Sequence, residues 1–285
     1  MDKLKGYYTL TKPERTLTNV VTAVAGYLFA SKWHIKWQAF LALSIGSFLV
    51  IASACVWNNY IDRNLDNMMA RTKKRALPSG KIPVRNAIIY ATILAIAGFF
   101  ILSYTNWLTV AVIGAGFVSY VVVYGFAKRH TLHSTLIGTV PGAASLVAGY
   151  TAVMDRLDST AWVLFLIMLA WQMVHFYAIA IYRFKDYAAG NIPVMPLKVG
   201  IFYTKLQMLF YLVIFIVGSI LLTLDGRAGY IYLVVMTLLG LVWLQKVIGG
   251  FKAVNSETWA RDVFKFSLVV VVVFSVVLSL GSVLP

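Results

Sequence analysis

The chain has 285 residues, of which 60% are hydrophobic and only 12% charged, and its formal net charge is +15. This composition excludes an ordinary soluble domain, in which about a quarter of the residues are charged. The single cysteine, Cys55, excludes an internal disulfide and any Cys-x-x-Cys heme or metal motif. We therefore expect a protein of the lipid bilayer, with basic residues that face anionic headgroups and with no nucleic-acid partner.

Nine apolar stretches are each long enough to cross a bilayer, which takes about 20 residues of α-helix. In chain order they cover roughly residues 14–31, 38–61, 86–104, 107–127, 135–154, 160–182, 206–223, 230–248 and 266–284. The sequence thus predicts an all-α fold, a polytopic bundle of nine transmembrane helices that forms a single domain over residues 1–285. The N-terminus shows neither a cleavage site nor an Arg/Ser-rich transit peptide, which favours a bacterial cytoplasmic (inner) membrane over a mitochondrial one.

Basic residues are distributed unevenly between the two sides of this predicted bundle. All but four of the 25 Lys and Arg residues fall in the N-terminal tail and in the connections on its side. The positive-inside rule places that side, and with it the N-terminus, in the cytoplasm. Two connections there, residues 62–85 and 183–205, are each about twenty residues long, and loops of that length in compact proteins are usually functional. We therefore expect the active-site loops at these two places.

The strongest chemical signal is the set Asn58, Asp62 and Asp66, spaced four residues apart at the end of the second predicted span. Steps of four keep side chains on one helical face. Two carboxylates one turn apart repel each other unless a cation lies between them, and such oxygen ligands suit Mg²⁺ held jointly with phosphates. Basic residues that could bind the outer phosphate oxygens follow at Arg71, Lys73, Lys74 and Arg75. The alternative is a solvated helix end in which the two carboxylates pair with Arg63 and Arg71.

A second acidic position, Asp186, follows Arg183 and Lys185 at the end of the sixth predicted span and precedes Tyr187. Acidic residues are scarce in the two long connections, so each one present is a functional candidate. Two facing sites, each with carboxylate and basic groups, would hold a diphosphate through magnesium. The alternative for Asp186 is a salt bridge within its own loop.

Residues 58–80, from the Asn-Asp-Asp set through the basic cluster to Pro78-Ser79-Gly80, resemble the first aspartate-rich motif of the intramembrane aromatic prenyltransferase (UbiA-type) superfamily. Within that superfamily, three segments are similar to the protoheme IX farnesyltransferases, also called heme O synthases. They are residues 171–176 (WQMVHF), 182–187 (YRFKDY) and 192–196 (IPVMP). Residues 128–130 and 138–142 share the likeness, which spans nearly the whole chain.

The resemblance implies an enzyme that transfers a farnesyl group from farnesyl diphosphate to a vinyl group of protoheme IX (heme B). Water adds in the same reaction, which gives heme O and depends on magnesium. The implied catalytic residues are Asn58, Asp62, Asp66 and Asp186, and the three aspartates would hold the metal. The implied diphosphate-binding residues are Arg71, Lys74, Arg75, Lys128, Arg129, Arg183, Lys185 and Tyr187. A terminal oxidase or a heme A synthase would be the partner that uses the product.

Two histidines are candidates for heme binding. His175 lies inside the sixth predicted span, where a polar side chain is a functional candidate by default. The alternative for His175 is a hydrogen bond to a neighbouring helix. His130 lies at the membrane edge beside Lys128 and Arg129, where contact with lipid headgroups is the alternative to binding heme propionates.

Three other functions fit parts of the sequence. A prenyltransferase for quinone-precursor aromatics would carry several aspartates in the second motif, where this chain has only Asp186. A transporter of anionic amphiphiles would place polar groups near the middle of the membrane, whereas the acidic groups here cluster at one face. A heme chaperone without catalytic activity would have no use for the Asn-Asp-Asp spacing and would not depend on magnesium.

Overall fold

The computed structural model describes residues 2–69 and 72–284, and the regular structure of these residues is entirely helical. The helices are α1 (Asp2–Leu10), α2 (Pro13–Ser31), α3 (Trp37–Met68), α4 (Val84–Leu102), α5 (Trp107–Val118), α6 (Gly125–His130), α7 (Ser134–Met154), α8 (Ser159–Tyr182), α9 (Phe184–Ala189), α10 (Met195–Lys198), α11 (Ile201–Leu224), α12 (Tyr230–Gly249) and α13 (Ser256–Gly281). A π-helical turn, Ser119–Tyr124, joins α5 to α6, and a 3-10 turn, Gly250–Lys252, follows α12. The predicted all-α fold is confirmed.

Eight helical segments of the described chain are long and apolar enough to cross a membrane. They are Trp37–Met68, Val84–Leu102, Trp107–His130, Ser134–Met154, Ser159–Tyr182, Ile201–Leu224, Tyr230–Lys252 and Ser256–Gly281. The chain is therefore a multi-pass membrane protein. The other predicted span corresponds to α2, a helix of 19 residues whose first turn contains Glu14 and Arg15. The total of nine spans and the cytoplasmic N-terminus stay predictions.

Two helices extend well beyond the apolar stretches that predicted them, because their ends are polar. Helix α3 continues to Met68, so the beginning of the predicted loop 62–85 is helical. Helix α13 begins at Ser256, where the side chain of Asn255 accepts hydrogen bonds from the backbone N–H groups of Glu257 and Thr258. This N-cap satisfies donors that a helix end leaves unpaired.

Helix α8 forms the centre of the bundle and packs against α7, α11 and α13. Helix α2 packs against α7 at two glycines, Gly26 and Gly149. A Cβ atom on Gly26 would lie 2.2 Å from the backbone oxygen of Leu146, and one on Gly149 would lie 1.8 Å from that of Ala23. The absence of side chains allows the two backbones to approach closely, as small residues do in membrane helix pairs. This contact fixes the second half of α2 against α7.

Candidate active site

Asn58, Asp62 and Asp66 all lie in the last third of α3, and each contacts a basic side chain from a different segment. Asp66 is 2% exposed, and its carboxylate accepts bonds from Arg75 Nη1 at 2.9 Å and 2.8 Å, one to each oxygen. The backbone oxygen of Asp66 accepts a further bond from Thr72 Oγ1 at 3.0 Å. The connection after α3 therefore folds back so that its basic cluster reaches the second aspartate.

Asp62 forms an ion pair with the buried Lys128 of α6. Arg129, the next residue, is exposed, and its guanidinium donates to the backbone oxygen of Ile61. Arg63 does not take part, because its guanidinium donates to the backbone oxygen of Tyr60 and lies over the ring of that tyrosine. The segment 128–129, distant in sequence, thus contacts the end of α3 that carries the two carboxylates, and its role in binding a diphosphate stays a prediction.

Asn58 is 3% exposed, and its Oδ1 accepts a hydrogen bond of 2.9 Å from Lys12 Nζ. An ammonium group only donates, so this bond assigns the amide oxygen to the side of Lys12. Nδ2 of Asn58 is then a buried donor that has no partner among the described residues. Buried donors are almost always paired in proteins, so Nδ2 fits an acceptor supplied by a ligand, such as a phosphate oxygen.

Lys12, between α1 and α2, is a largely buried lysine with other basic side chains nearby. Burial, together with the positive charges of Arg15 and Arg75, lowers the pKa of Lys12 to about 8, although Cys55 and Asp62 oppose this decrease. The backbone of Lys12 is left-handed, with φ of 48° and ψ of 61°. This strained turn directs an N-terminal lysine toward the aspartate-rich helix.

The donor set fits magnesium held jointly with a substrate. Within residues 2–69 and 72–284, no three His, Cys, Asp or Glu side chains lie close enough together to form a metal site by themselves. Mg²⁺ commonly binds one or two carboxylates and completes its coordination with substrate phosphates and water. Asp62 and Asp66 would supply the two carboxylates, and the unpaired Nδ2 of Asn58 would supply a donor for the phosphate.

The second predicted site lies in the connection after α8. Asp186 is in the short helix α9, and Arg183 Nη1 donates to it at 3.4 Å. The salt bridge within its own loop is therefore present, as the alternative interpretation predicted. The Arg183 guanidinium also lies 4.7 Å from the centre of the Tyr182 ring. Tyr187 lies beside Asp186 in the wall of the cavity described below.

Four further predicted residues remain, of which the structure describes three. Lys74 and Lys185 are exposed, and Arg71 lies outside the described residues. His130 is exposed, its Nδ1 lies 2.8 Å from the backbone oxygen of Phe126, and its ring stacks on the exposed Phe126. Its position fits headgroup contact better than a place inside the bundle.

A cavity of about 560 Å³ extends from the start of α2 and the end of α8 into the middle of the bundle. Polar residues surround one end of it: Glu14, Arg15, Asn19, Arg183, Asp186 and Tyr187. Its interior wall is mainly apolar and aromatic, and it includes Trp171 and His175 of α8. A volume of this size suits a large, mostly apolar ligand with an anionic end.

The cavity adjoins the α3 aspartates without being lined by them. Arg15, in its polar wall, lies within electrostatic range of Tyr124 and Tyr187. Tyr124 is in turn within range of Asp62. The π-helical turn that contains Tyr124 interrupts an otherwise α-helical span, a feature frequent at functional sites. It stacks Tyr124 on Tyr120, whose ring lines the cavity, with ring centroids 5.6 Å apart.

Lys12, Arg15 and Tyr120 are site residues that the sequence did not identify. Lys12 and Arg15 counted only as positive charge in the N-terminal tail. A possible signal was their position, since two basic residues at the start of an apolar helix lie at the same membrane face as the end of α3. Tyr120 sits within an apolar run and gave no signal.

Comparison with known proteins identifies the family. The profile of the UbiA prenyltransferase family matches residues 19–269. The chain belongs to the UbiA prenyltransferase family. A protein named protoheme IX farnesyltransferase from Cronobacter sakazakii is 44% identical over 284 residues, which is 99% of this chain and 96% of the relative. A protein of the same name from Yersinia enterocolitica is 45% identical over 288 residues, again 99% and 96% of the two chains.

Solved structures of UbiA proteins share the fold. The structure described as digeranylgeranylglyceryl phosphate synthase matches with a TM-score of 0.83 at 20% identity and covers 99% of both chains. A UbiA homolog from Archaeoglobus fulgidus, bound to GPP and Mg²⁺, matches with a TM-score of 0.74 at 12% identity, over 96% of this chain and 99% of its own. At such low identities these likenesses show that this UbiA family member has the fold of the family.

Proposed function

We propose that this enzyme transfers a farnesyl group from farnesyl diphosphate to a vinyl group of protoheme IX, with addition of water, to give heme O. Relatives that share 44–45% of its residues over nearly their whole length are named protoheme IX farnesyltransferase. A UbiA homolog of the same fold binds GPP with Mg²⁺, which supports a prenyl diphosphate and a divalent ion as ligands here. The bacterial relatives favour a place in the bacterial inner membrane.

The observation that carries the proposal is a cavity of about 560 Å³ with charged residues at one end and apolar and aromatic residues in its interior. Its polar end contains Arg15 and Asp186, and its interior wall includes His175. Lys12 lies within electrostatic range of both Arg15 and Asp62, which connects this end to the aspartates of α3. A diphosphate at the polar end would extend its hydrocarbon chain into the apolar interior, where a tetrapyrrole fits beside it.

Asp62 and Asp66 would hold Mg²⁺ jointly with the diphosphate, and the ion would supply charge neutralisation of the departing group. Asp186, at the polar end of the cavity, would join them only through a second ion or the substrate, because the three aspartates do not form one metal site. Lys128 and Arg75 already contact these carboxylates, so small movements would bring them onto phosphate oxygens. Nδ2 of Asn58 would donate to the same group. Lys12 and Arg15 add positive charge to this end of the cavity, which stabilises the charge that develops on the leaving group.

The chemical step needs no protein nucleophile. The bond between C1 of the farnesyl chain and its oxygen breaks, and the electron pair leaves with the diphosphate. The terminal vinyl carbon of the heme attacks C1, and the cation then formed next to the porphyrin ring captures water and releases a proton. The mainly apolar cavity wall excludes water from the allylic cation until the carbon–carbon bond has formed.

The test is incubation of purified protein with protoheme, farnesyl diphosphate and Mg²⁺, followed by mass analysis of the heme. We expect a heme heavier by one farnesyl group plus one water, and no product when Mg²⁺ is chelated. A parallel reaction offers a quinone-precursor aromatic as the acceptor. Prenylation of that acceptor with unchanged heme would refute protoheme as the substrate. If neither heme nor the aromatic acceptor is prenylated, the proposed transferase activity is refuted. A terminal oxidase or heme A synthase is the proposed user of the product.

A further inference from the structure

His175 is held by a network that connects α8 to α13. Its Nδ1 lies 2.7 Å from Oγ of Ser267, a side chain without solvent exposure. The indole N–H of Trp171 donates to the backbone oxygen of the same serine at 2.8 Å. The imidazole stacks on Trp171 and tilts against Phe264, with ring centroids 5.0 Å apart in both pairs. The ring therefore has one well-defined orientation.

The direction of the hydrogen bonds follows from the one proton of the serine hydroxyl. Oγ of Ser267 lies 2.6 Å from the backbone oxygen of Phe264, and a carbonyl oxygen only accepts, so the hydroxyl must donate to it. Oγ then has only lone pairs to offer to His175. The proton of the His175–Ser267 bond must come from Nδ1, which in an uncharged ring leaves the lone pair on Nε2.

Nε2 of His175 faces the cavity. His175 belongs to the cavity wall, and Nε2 meets no hydrogen-bonding partner in the part of the chain that the structure describes. Nε2 retains some accessible surface, so a ligand in the cavity can reach it. An imidazole that donates from one nitrogen and presents the other is the arrangement of metal-ligating histidines, in which an outer group fixes the tautomer.

We infer that Ser267 is a positioning residue for His175: it holds the imidazole with Nδ1 protonated and presents the Nε2 lone pair as a ligand for heme iron. This choice of ligand rests on the proposed function, since protoheme is the substrate proposed for the cavity. Iron bound at His175 would fix the depth of the tetrapyrrole in the cavity. It would thereby limit which edge of the ring reaches the farnesyl chain.

Hemin titration of the purified protein tests this role through the absorption spectrum of the iron. The unsubstituted protein should show imidazole-ligated heme, which His175→Ala removes and added imidazole restores. Loss of an outer hydrogen-bond partner typically weakens metal binding about 10- to 100-fold, so Ser267→Ala should raise the hemin Kd by that factor. Ser275→Ala is the matched control, because Ser275 is buried in the same helix and its hydroxyl donates to the backbone oxygen of Val271 within that helix.

Equal hemin affinity and equal spectra for Ser267→Ala and the unsubstituted protein would overturn the inference. Should Ser267→Ala fail to fold, ¹⁵N NMR of the unsubstituted, histidine-labelled protein decides, since His175 is one of only four histidines. We expect a protonated Nδ1 and an unprotonated Nε2, and the opposite tautomer would refute the role of Ser267.

Hemin bound through His175 without prenyl transfer would refute the proposed function but not the role of Ser267. Product formed with hemin spectra unaffected by His175→Ala would refute the inference alone.

Discussion

Replacing either partner of the Asp66–Arg75 ion pair should separate a metal ligand from a structural salt bridge. Asp66→Asn and Arg75→Gln both remove the same pair, in which Nη1 of Arg75 lies 2.9 Å and 2.8 Å from the carboxylate oxygens. They differ in what remains, because Arg75→Gln keeps the carboxylate and Asp66→Asn does not. If Asp66 binds Mg²⁺, Arg75 competes with the ion for the same oxygens.

The expected magnitude follows from the burial of the two side chains. The Asp66 side chain is 3% exposed, so its bond to an ion would be strong, of the order of a charge-assisted contact worth about 1.5–3 kcal/mol. Its loss should raise the Mg²⁺ concentration for half-maximal activity by roughly 10- to 150-fold. The Arg75 side chain is 29% exposed, and solvent screening limits its hold on the carboxylate to about 1 kcal/mol. Arg75→Gln should therefore leave the Mg²⁺ requirement unchanged or lower it severalfold.

The assay is heme farnesylation as a function of Mg²⁺ concentration at saturating farnesyl diphosphate, with thermal unfolding in detergent as the control for folding. Arg75→Gln should lose more thermal stability than Asp66→Asn, because it leaves the buried Asp66 carboxylate without its partner, whereas Asp66→Asn leaves an arginine that is partly exposed to solvent. Equal shifts in the Mg²⁺ requirement of the two variants, or none for Asp66→Asn, would show that the Asp66 carboxylate has only a structural role.

Two other predictions use the same preparation. Because burial lowers the pKa of Lys12 to about 8, kcat/KM for farnesyl diphosphate should decline as the pH rises through about 8 and Lys12 loses its charge. Lys12→Arg should move this decline to higher pH, since arginine stays protonated, and an identical pH profile would exclude Lys12 as its source. Gly149→Ala should destabilise the protein by about 3 kcal/mol, because the new Cβ would lie 1.8 Å from the backbone oxygen of Ala23. Gly114→Ala, whose Cβ would lie 3.8 Å from the nearest atom, should leave the thermal midpoint in detergent unchanged, and equal loss in both variants would contradict the α2–α7 contact.

Much of the fold could be predicted from the sequence, because each spanning helix must be apolar over about 20 residues. Eight predicted spans have such helices at the expected positions. Apolar content identifies only the part of a helix that lies in the hydrocarbon core of the bilayer. The polar ends of α3 and α13 were therefore not predicted as helical. The π-helical turn at Ser119–Tyr124 also could not be predicted, because its residues, mostly valine and tyrosine, also fit an α-helix.

The sequence placed Asn58, Asp62 and Asp66 together, but it did not predict the side chains that pair with them. The spacing of Asn58, Asp62 and Asp66 placed them on one helix, which is local information. Their partners come from elsewhere: Lys128 pairs with Asp62 across 66 positions of sequence, and Lys12 bonds Asn58 from the N-terminal segment. Such contacts depend on how α2 and α6 pack against α3, and hydropathy and spacing do not report packing. The resemblance to known prenyltransferases supplied Lys128 but not Lys12.

The most direct measurement is an experimental structure of the protein with Mg²⁺ and a slowly reacting thio analogue of farnesyl diphosphate. We expect an ion about 2.1 Å from a carboxylate oxygen of Asp62 and of Asp66, in contact with the diphosphate. We also expect the farnesyl chain in the cavity beside His175. A diphosphate bound elsewhere, with Asp62 still on Lys128 and Asp66 still on Arg75, would refute the proposed magnesium site.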